Sequence, residues 1–163
     1  MIVLAMRDAL ACSDSTFIPY LPHPMDVCRL VLACGGSQLA ACAAVLHEVV
    51  ALGHIPVESV AQRYGRAVTE RVEQLVAQRA EDDEGLLLLC ADRVAHLVRW
   101  SHMALPESLA REMNDLNLAL RRLHPAAREV LDQELQRIQP EVMAPQVVSA
   151  KKYSPVRRRN QRS

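Results

Sequence analysis

The segment Gln38 to Leu52 constrains this chain more than any other, because its pattern is helical and it is apolar nearly all the way round. Leu39, Ala40, Ala41, Ala43, Ala44, Val45, Leu46, Val49 and Val50 leave it no polar face. A helix of that kind has to be surrounded by other elements. Ser37 is positioned to cap it and Gly53 to stop it. Two adjacent ionisable residues, His47 and Glu48, are set into this apolar cylinder. A carboxylate withdrawn from water is destabilising by several kcal/mol unless a cation or hydrogen bonds compensate. The same difficulty arises at Asp92, which follows the run Leu86-Leu87-Leu88-Leu89-Cys90-Ala91. A metal ion shared by His47, Glu48 and Asp92 resolves both at once.

The remaining pattern is helical too. Gly is scarce, Leu and Ala dominate, and no period-two run is sustained. Besides the central segment, helices are expected from Pro24 to Cys34, Val57 to Tyr64, Arg66 to Arg79, Leu86 to Met103, Pro106 to Leu123 and Pro125 to Ile138. Prolines open several of them and glycines close others. The acidic stretch Glu81-Asp82-Asp83-Glu84 reads as a solvated loop between two of them. Seven helices with short connections make an all-α bundle. Within 163 residues, half of them apolar, one such domain covers residues 1–140. Residues 141–163 differ: Lys151, Lys152, Arg157, Arg158, Arg159 and Arg162 stand there with no acid after Glu141. This end reads as a basic, disordered tail that solubilises the chain or contacts a polyanion through phosphate neutralisation.

Composition excludes other classes. No uncharged apolar run approaches the roughly 20 residues of a membrane-spanning helix, and Arg7 and Asp8 close the apolar opening Met1 to Met6 too early for a secretory leader. Cys12, Cys28, Cys34, Cys42 and Cys90 are odd in number and contain no C-x-x-C pair. They are expected to be reduced thiols serving as small core residues in a cytoplasmic protein. No glycine-rich phosphate loop and no Ser-His-Asp arrangement is present.

Four blocks then fall into a familiar register. They are Pro19-Tyr20-Leu21-Pro22-His23-Pro24, Ala43-Ala44-Val45-Leu46-His47-Glu48-Val49-Val50, Tyr64-Gly65 with Val68 and Val72, and Cys90-Ala91-Asp92-Arg93-Val94-Ala95-His96-Leu97. In order and spacing they resemble the HD-domain hydrolases of RelA/SpoT type, which remove the 3′ diphosphate of the alarmone (p)ppGpp. The likeness spans about Pro19 to Leu97, half of the chain. It implies an HD-type helical bundle holding one divalent ion, usually manganese, and a guanosine nucleotide as substrate. Of the family's ligands, His47 matches the histidine of the His-Asp doublet, Glu48 stands where the doublet has Asp, and Asp92 matches the later Asp. Arg93 and His96 fall where the family contacts nucleotide.

The same comparison implies departures. The family's early histidine is expected near Arg7 to Leu10, where there is none, leaving Asp8 as a substitute oxygen ligand. His23 is read as helix-entry architecture. One turn after the doublet the family has Glu-Asp to deprotonate the attacking water; here Ala51 and Leu52 stand on the ligand side of the helix, and alkyl groups accept no proton. Weak or absent hydrolysis is expected. The alternative is a non-catalytic degenerate HD module that binds a nucleotide or a protein partner. Leu109, Met113, Leu116, Leu120 and Leu123 form an amphipathic face that packs on the bundle or on another subunit. His54, His102 and His124 are expected to be exposed.

Overall fold

The computed structural model describes residues 1–12, 21–100 and 106–137, excepting the side chain of Pro106. Eight helices follow one another: α1 (Ile2–Ala11), α2 (Pro22–Ala33), α3 (Gln38–Ala51), α4 (Val57–Tyr64), α5 (Arg66–Val76), α6 (Asp83–Trp100), α7 (Pro106–Leu120) and α8 (Pro125–Gln136). No strand occurs among the described residues, so the all-α class is as expected. The count of seven falls short by α1. No helix is expected there from the sequence, yet Ala5 and Ala9 are fully buried with Ile2 and Met6 packed against the same core. The basic tail, Ile138, His102 and the expected end of one helix at Met103 lie outside the described residues.

Helix α3 is central. Ala40 to His47 and Val49 are buried, and α1, α2, α5 and α6 all pack on it. Its run of alanines lets these neighbours approach closely, because interaxial distance depends on the side chains at the contact. Ser37 Oγ accepts the Ala40 amide at 3.1 Å, which satisfies one of the orphan donors of the first turn. At the other end Gly53 takes φ +76°, and the His54 amide reaches back to the Val49 carbonyl at 2.9 Å. Between α2 and α3, Gly36 is needed for space: a Cβ there would lie 2.6 Å from Val31 Cγ1 and 2.9 Å from Val31 O.

The acidic stretch is largely exposed, as expected, and it also fastens neighbouring helices together. Helix α5 stops at Val76, earlier than Arg79, and α6 starts at Asp83, earlier than Leu86. Asp82 Oδ1 accepts the Gly85 amide at 2.7 Å and caps α6, while Arg71 grips the same carboxylate through both terminal nitrogens at 2.8 and 2.6 Å. Glu84 accepts the Ser37 amide at 3.0 Å, tying the start of α6 to the start of α3. The face of α7 is also settled. Leu109, Leu116, Leu120 and the following Leu123 are buried, and α7 packs on α6, with α8 against α6 and α2.

All five cysteines are free. Burial pushes the Cys42 and Cys90 thiols up to about 11, which keeps them protonated and unreactive. Among the described residues no helix is long and apolar enough to cross a membrane. The central position of α3 makes a measurable difference between two leucines on it. Leu46 is fully buried and Leu39 is 36% exposed. Leu46→Ala should therefore be destabilising by about 2–5 kcal/mol in denaturant unfolding, and Leu39→Ala by well under half of that.

Candidate metal centre

Three helices each contribute one side chain to a buried polar point in the core. In α2, proline occupies the first turn, where its missing N–H is harmless and its fixed φ suits a helix. This seats His23 at the inner end of α2, only 7% exposed. In α3, His47 is 5% exposed, and Asp92 in α6 is 7% exposed. His23 Nε2 donates to Asp92 Oδ1 at 3.0 Å, and His47 Nε2 lies 3.3 Å from that same oxygen. The two imidazoles meet edge to face with centroids 5.5 Å apart. One ligand atom from each of the three residues lies within 4.8 Å of the other two.

The outer atoms of His47 and Asp92 are held as well, whereas His23 Nδ1 is buried without a hydrogen-bond partner. His47 Nδ1 donates to the Ala44 carbonyl at 2.7 Å, which leaves Nε2 as the inward atom; ligating histidines are commonly oriented by such a bond. Gln78 Nε2 donates to Asp92 Oδ2 at 3.2 Å. Glu48 sits at the rim, its Oε2 3.3 Å from His47 Nε2. A cavity of about 370 Å³ opens onto these residues and is closed by Ala51, Leu75, His96 and Trp100. A second, adjoining cavity shares Gln78, Asp92 and His96 and adds Arg93, Glu112 and Asp115.

The expected site residues are thus largely together. His47 and Asp92 are in contact, and Glu48 adjoins His47. His96 stands one turn beyond Asp92 with its ring 6.1 Å from His23. Arg93 lines only the second cavity. Two expectations are corrected. His23, read as architecture, is a member of the group, brought there by the packing of α2 on α6. Asp8, proposed as a substitute ligand, is buried elsewhere, against Tyr64 Oη and the Arg63 guanidinium at 2.7–2.8 Å. Ala51 does face the cavity, as the register required, whereas Leu52 does not line it and is 45% exposed. His124 is exposed and caps α8 through Nδ1; His54 is half-buried.

Electrostatics explain how such a group tolerates burial. Burial is the largest influence on His47 and disfavours its charge, but the hydrogen bonds to Asp92 and then Glu48 outweigh it and raise the pKa from 6.5 to about 9. Burial likewise works against the Asp92 carboxylate, and hydrogen bonds from His23 and His47 outweigh it, holding the carboxyl well below its ordinary 3.8. The hydrogen bond to His47 keeps the Glu48 carboxyl low as well. No protein-family model matches this chain, and no curated protein or solved structure does.

These shifts set a pH profile. A histidine whose folded pKa is raised stabilises fully below its unfolded value of 6.5, and that stabilisation is lost as pH climbs toward about 9. A depressed carboxyl acts oppositely: its contribution is complete above 3.8 and is lost as pH falls below it. In the presence of a chelator, the melting temperature should peak between these limits and decline toward pH 9. The alkaline decline should flatten in His47→Gln. A divalent ion held by this group would have to displace the His47 proton, so its affinity would rise about tenfold per pH unit between 7 and 9 in calorimetric titrations.

Proposed function

We propose that this chain is a metal-dependent phosphohydrolase-like protein of HD type, resembling the (p)ppGpp 3′-pyrophosphohydrolases, with its hydrolytic step weakened. One observation carries the reading: two histidines and an aspartate from α2, α3 and α6 are buried together, with Nε2 of His23 and of His47 at 3.0 and 3.3 Å from Asp92 Oδ1. The donor set fits a divalent ion of the first transition row, for which imidazole and carboxylate are both suitable ligands. His23, His47 and Asp92 would hold it, with Glu48 at the rim. A bound ion supplies Lewis acidity toward a phosphoryl oxygen and lowers the pKa of water.

The protein's own residues have the remaining tasks. The Ala44 carbonyl keeps the His47 lone pair aimed inward. Asp92 brings the negative charge that makes a cation favourable in a buried place. Arg93 and His96 are positioned on the cavity walls to meet phosphate oxygens, as the resemblance implies. Glu112 and Asp115 share the wall with Arg93, so attraction for a polyphosphate has to come from the ion as much as from these two side chains. A base for the attacking water is missing where the register calls for it, because Ala51 lines the cavity. General-base assistance contributes about 10²–10⁴ in rate. Binding with slow turnover is the consequence, and this favours the alternative reading of a nucleotide-binding module over that of a module for a protein partner.

With manganese and (p)ppGpp, purified protein should turn over well below about 1 s⁻¹, the lower end of ordinary enzymes. Ala51→Glu, which places a carboxylate on the cavity wall, should raise that rate by about 10²-fold. Turnover of the unaltered protein at or above 1 s⁻¹ would show that another group serves as base.

Metal binding is checked separately by thermal melts. Manganese at 100 times its dissociation constant should stabilise by about 2.7 kcal/mol, several degrees for a domain of this size. The shift should vanish in Asp92→Asn, which keeps the shape of the side chain and removes its charge. An unaltered protein that gains nothing from manganese, zinc or iron(II) would overturn the proposal.

A further inference from the structure

The residue Gln78, in the connection between α5 and α6, holds a conformation that its side chain alone justifies. Its φ is +52°, and it is the one non-glycine residue with positive φ among the described residues. The backbone there closes α5 in a Schellman arrangement. The Arg79 amide donates to the Gln74 carbonyl and the Gln78 amide to the Leu75 carbonyl, each at 2.9 Å. The left-handed position of this motif is normally glycine, because a Cβ there crowds the following carbonyl. Glycine would make the same turn with less strain, and the chain uses it at Gly53 to end α3. Non-glycine residues kept in this region concentrate where function needs the side chain.

That side chain reaches the metal group. Gln78 Nε2 donates to the Leu75 carbonyl at 3.1 Å and to Asp92 Oδ2 at 3.2 Å. Both partners are acceptors, so only the amide nitrogen can face them, and the orientation of the amide is settled. The two oxygens of Asp92 are thereby given different roles. Oδ2 is engaged by the amide, and Oδ1 is turned toward His23 and His47 at 3.0 and 3.3 Å. Gln78 also stands with Asp92 and His96 between the two cavities.

We infer that Gln78 is a positioning residue for the metal centre: its amide holds Asp92 so that Oδ1 presents as a single ligand atom beside the two imidazoles, and its left-handed backbone is retained for that purpose. This assignment rests on the metal reading proposed above. Its logic separates the backbone from the side chain. Removing the amide frees the Asp92 carboxylate to rotate, and loss of a partner that orients a ligand typically weakens metal binding by about 10–100-fold. Removing the Cβ relieves the backbone, which acts on stability alone.

The experiment compares Gln78→Ala and Gln78→Gly with the unaltered protein, by manganese titration calorimetry and by thermal melts in chelator. Both variants lose the amide, and only glycine relieves the turn. Manganese affinity should fall about 10–100-fold in both, while Gln78→Gly melts above Gln78→Ala by about 2–4 °C. Affinity unchanged in both variants would overturn the assignment and leave the metal centre standing. Affinity lost in Gln78→Ala but kept in Gln78→Gly would also overturn it, since the backbone and not the amide would then be responsible. An unaltered protein that binds no divalent ion would overturn the metal reading and this assignment together.

Discussion

Everything in this fold follows from the burial of one helix that has no polar side. Helix α3 is sealed by α1, α2, α5 and α6, so any ionisable group it carries has to find its partner inside the protein. His47 finds Asp92 at 3.3 Å, and Asp92 brings His23 with it. Inside a poorly polarisable core an unpaired charge is far more destabilising than at the surface. The pairing is therefore a condition of packing α3, α2 and α6 together before it is anything else. Three helices that meet for apolar reasons end by sharing one polar point.

Among the described residues three carboxylates are buried, Asp8, Asp92 and Glu134, and the first two are satisfied differently. Asp8 is met by Tyr64 and by the permanently charged Arg63 and Arg7. Arginine does not give up its proton in a protein, so this contact is a fixed clasp between α1 and α4. Asp92 is met by two imidazoles and an amide instead. Imidazole nitrogens exchange a proton for a metal ion near neutral pH. Asp92, unlike Asp8, sits among groups able to change what they bind, and it opens onto a cavity.

The neighbouring connections keep that point in register. Arg71 of α5 grips Asp82, Asp82 caps α6, and Glu84 reaches the Ser37 amide at the start of α3. The short link between α5 and α6 is thus held at both ends, and Gln78 lies within it. One turn beyond His47 on the same face of α3, Ala51 lines the cavity.

How much of this was legible in the chain depends on whether the signal was local. The all-α class, the buried centre at Gln38 to Leu52, and the pairing of His47 with Asp92 all follow from periodicity and from acids stranded in apolar runs, which neighbouring residues reveal. Ala51 on the ligand side follows from helical register in the same way. Helix α1 escapes the sequence reading because its apolar start resembles the opening of a leader, and contact with α3 makes it a core element. The membership of His23 and the engagement of Asp8 by Arg63 and Tyr64, across more than 50 positions, were decided by which helices lie side by side. Gln78 is the clearest case of that kind. A glutamine near a helix end carries no sequence signal, and its meaning appears only when the turn brings its amide to a carboxylate 14 residues away. Sequence determined what had to be buried and which charges would then need partners; tertiary packing chose the partners, because an ionisable group in the core is satisfied by whatever the neighbouring helices bring within reach.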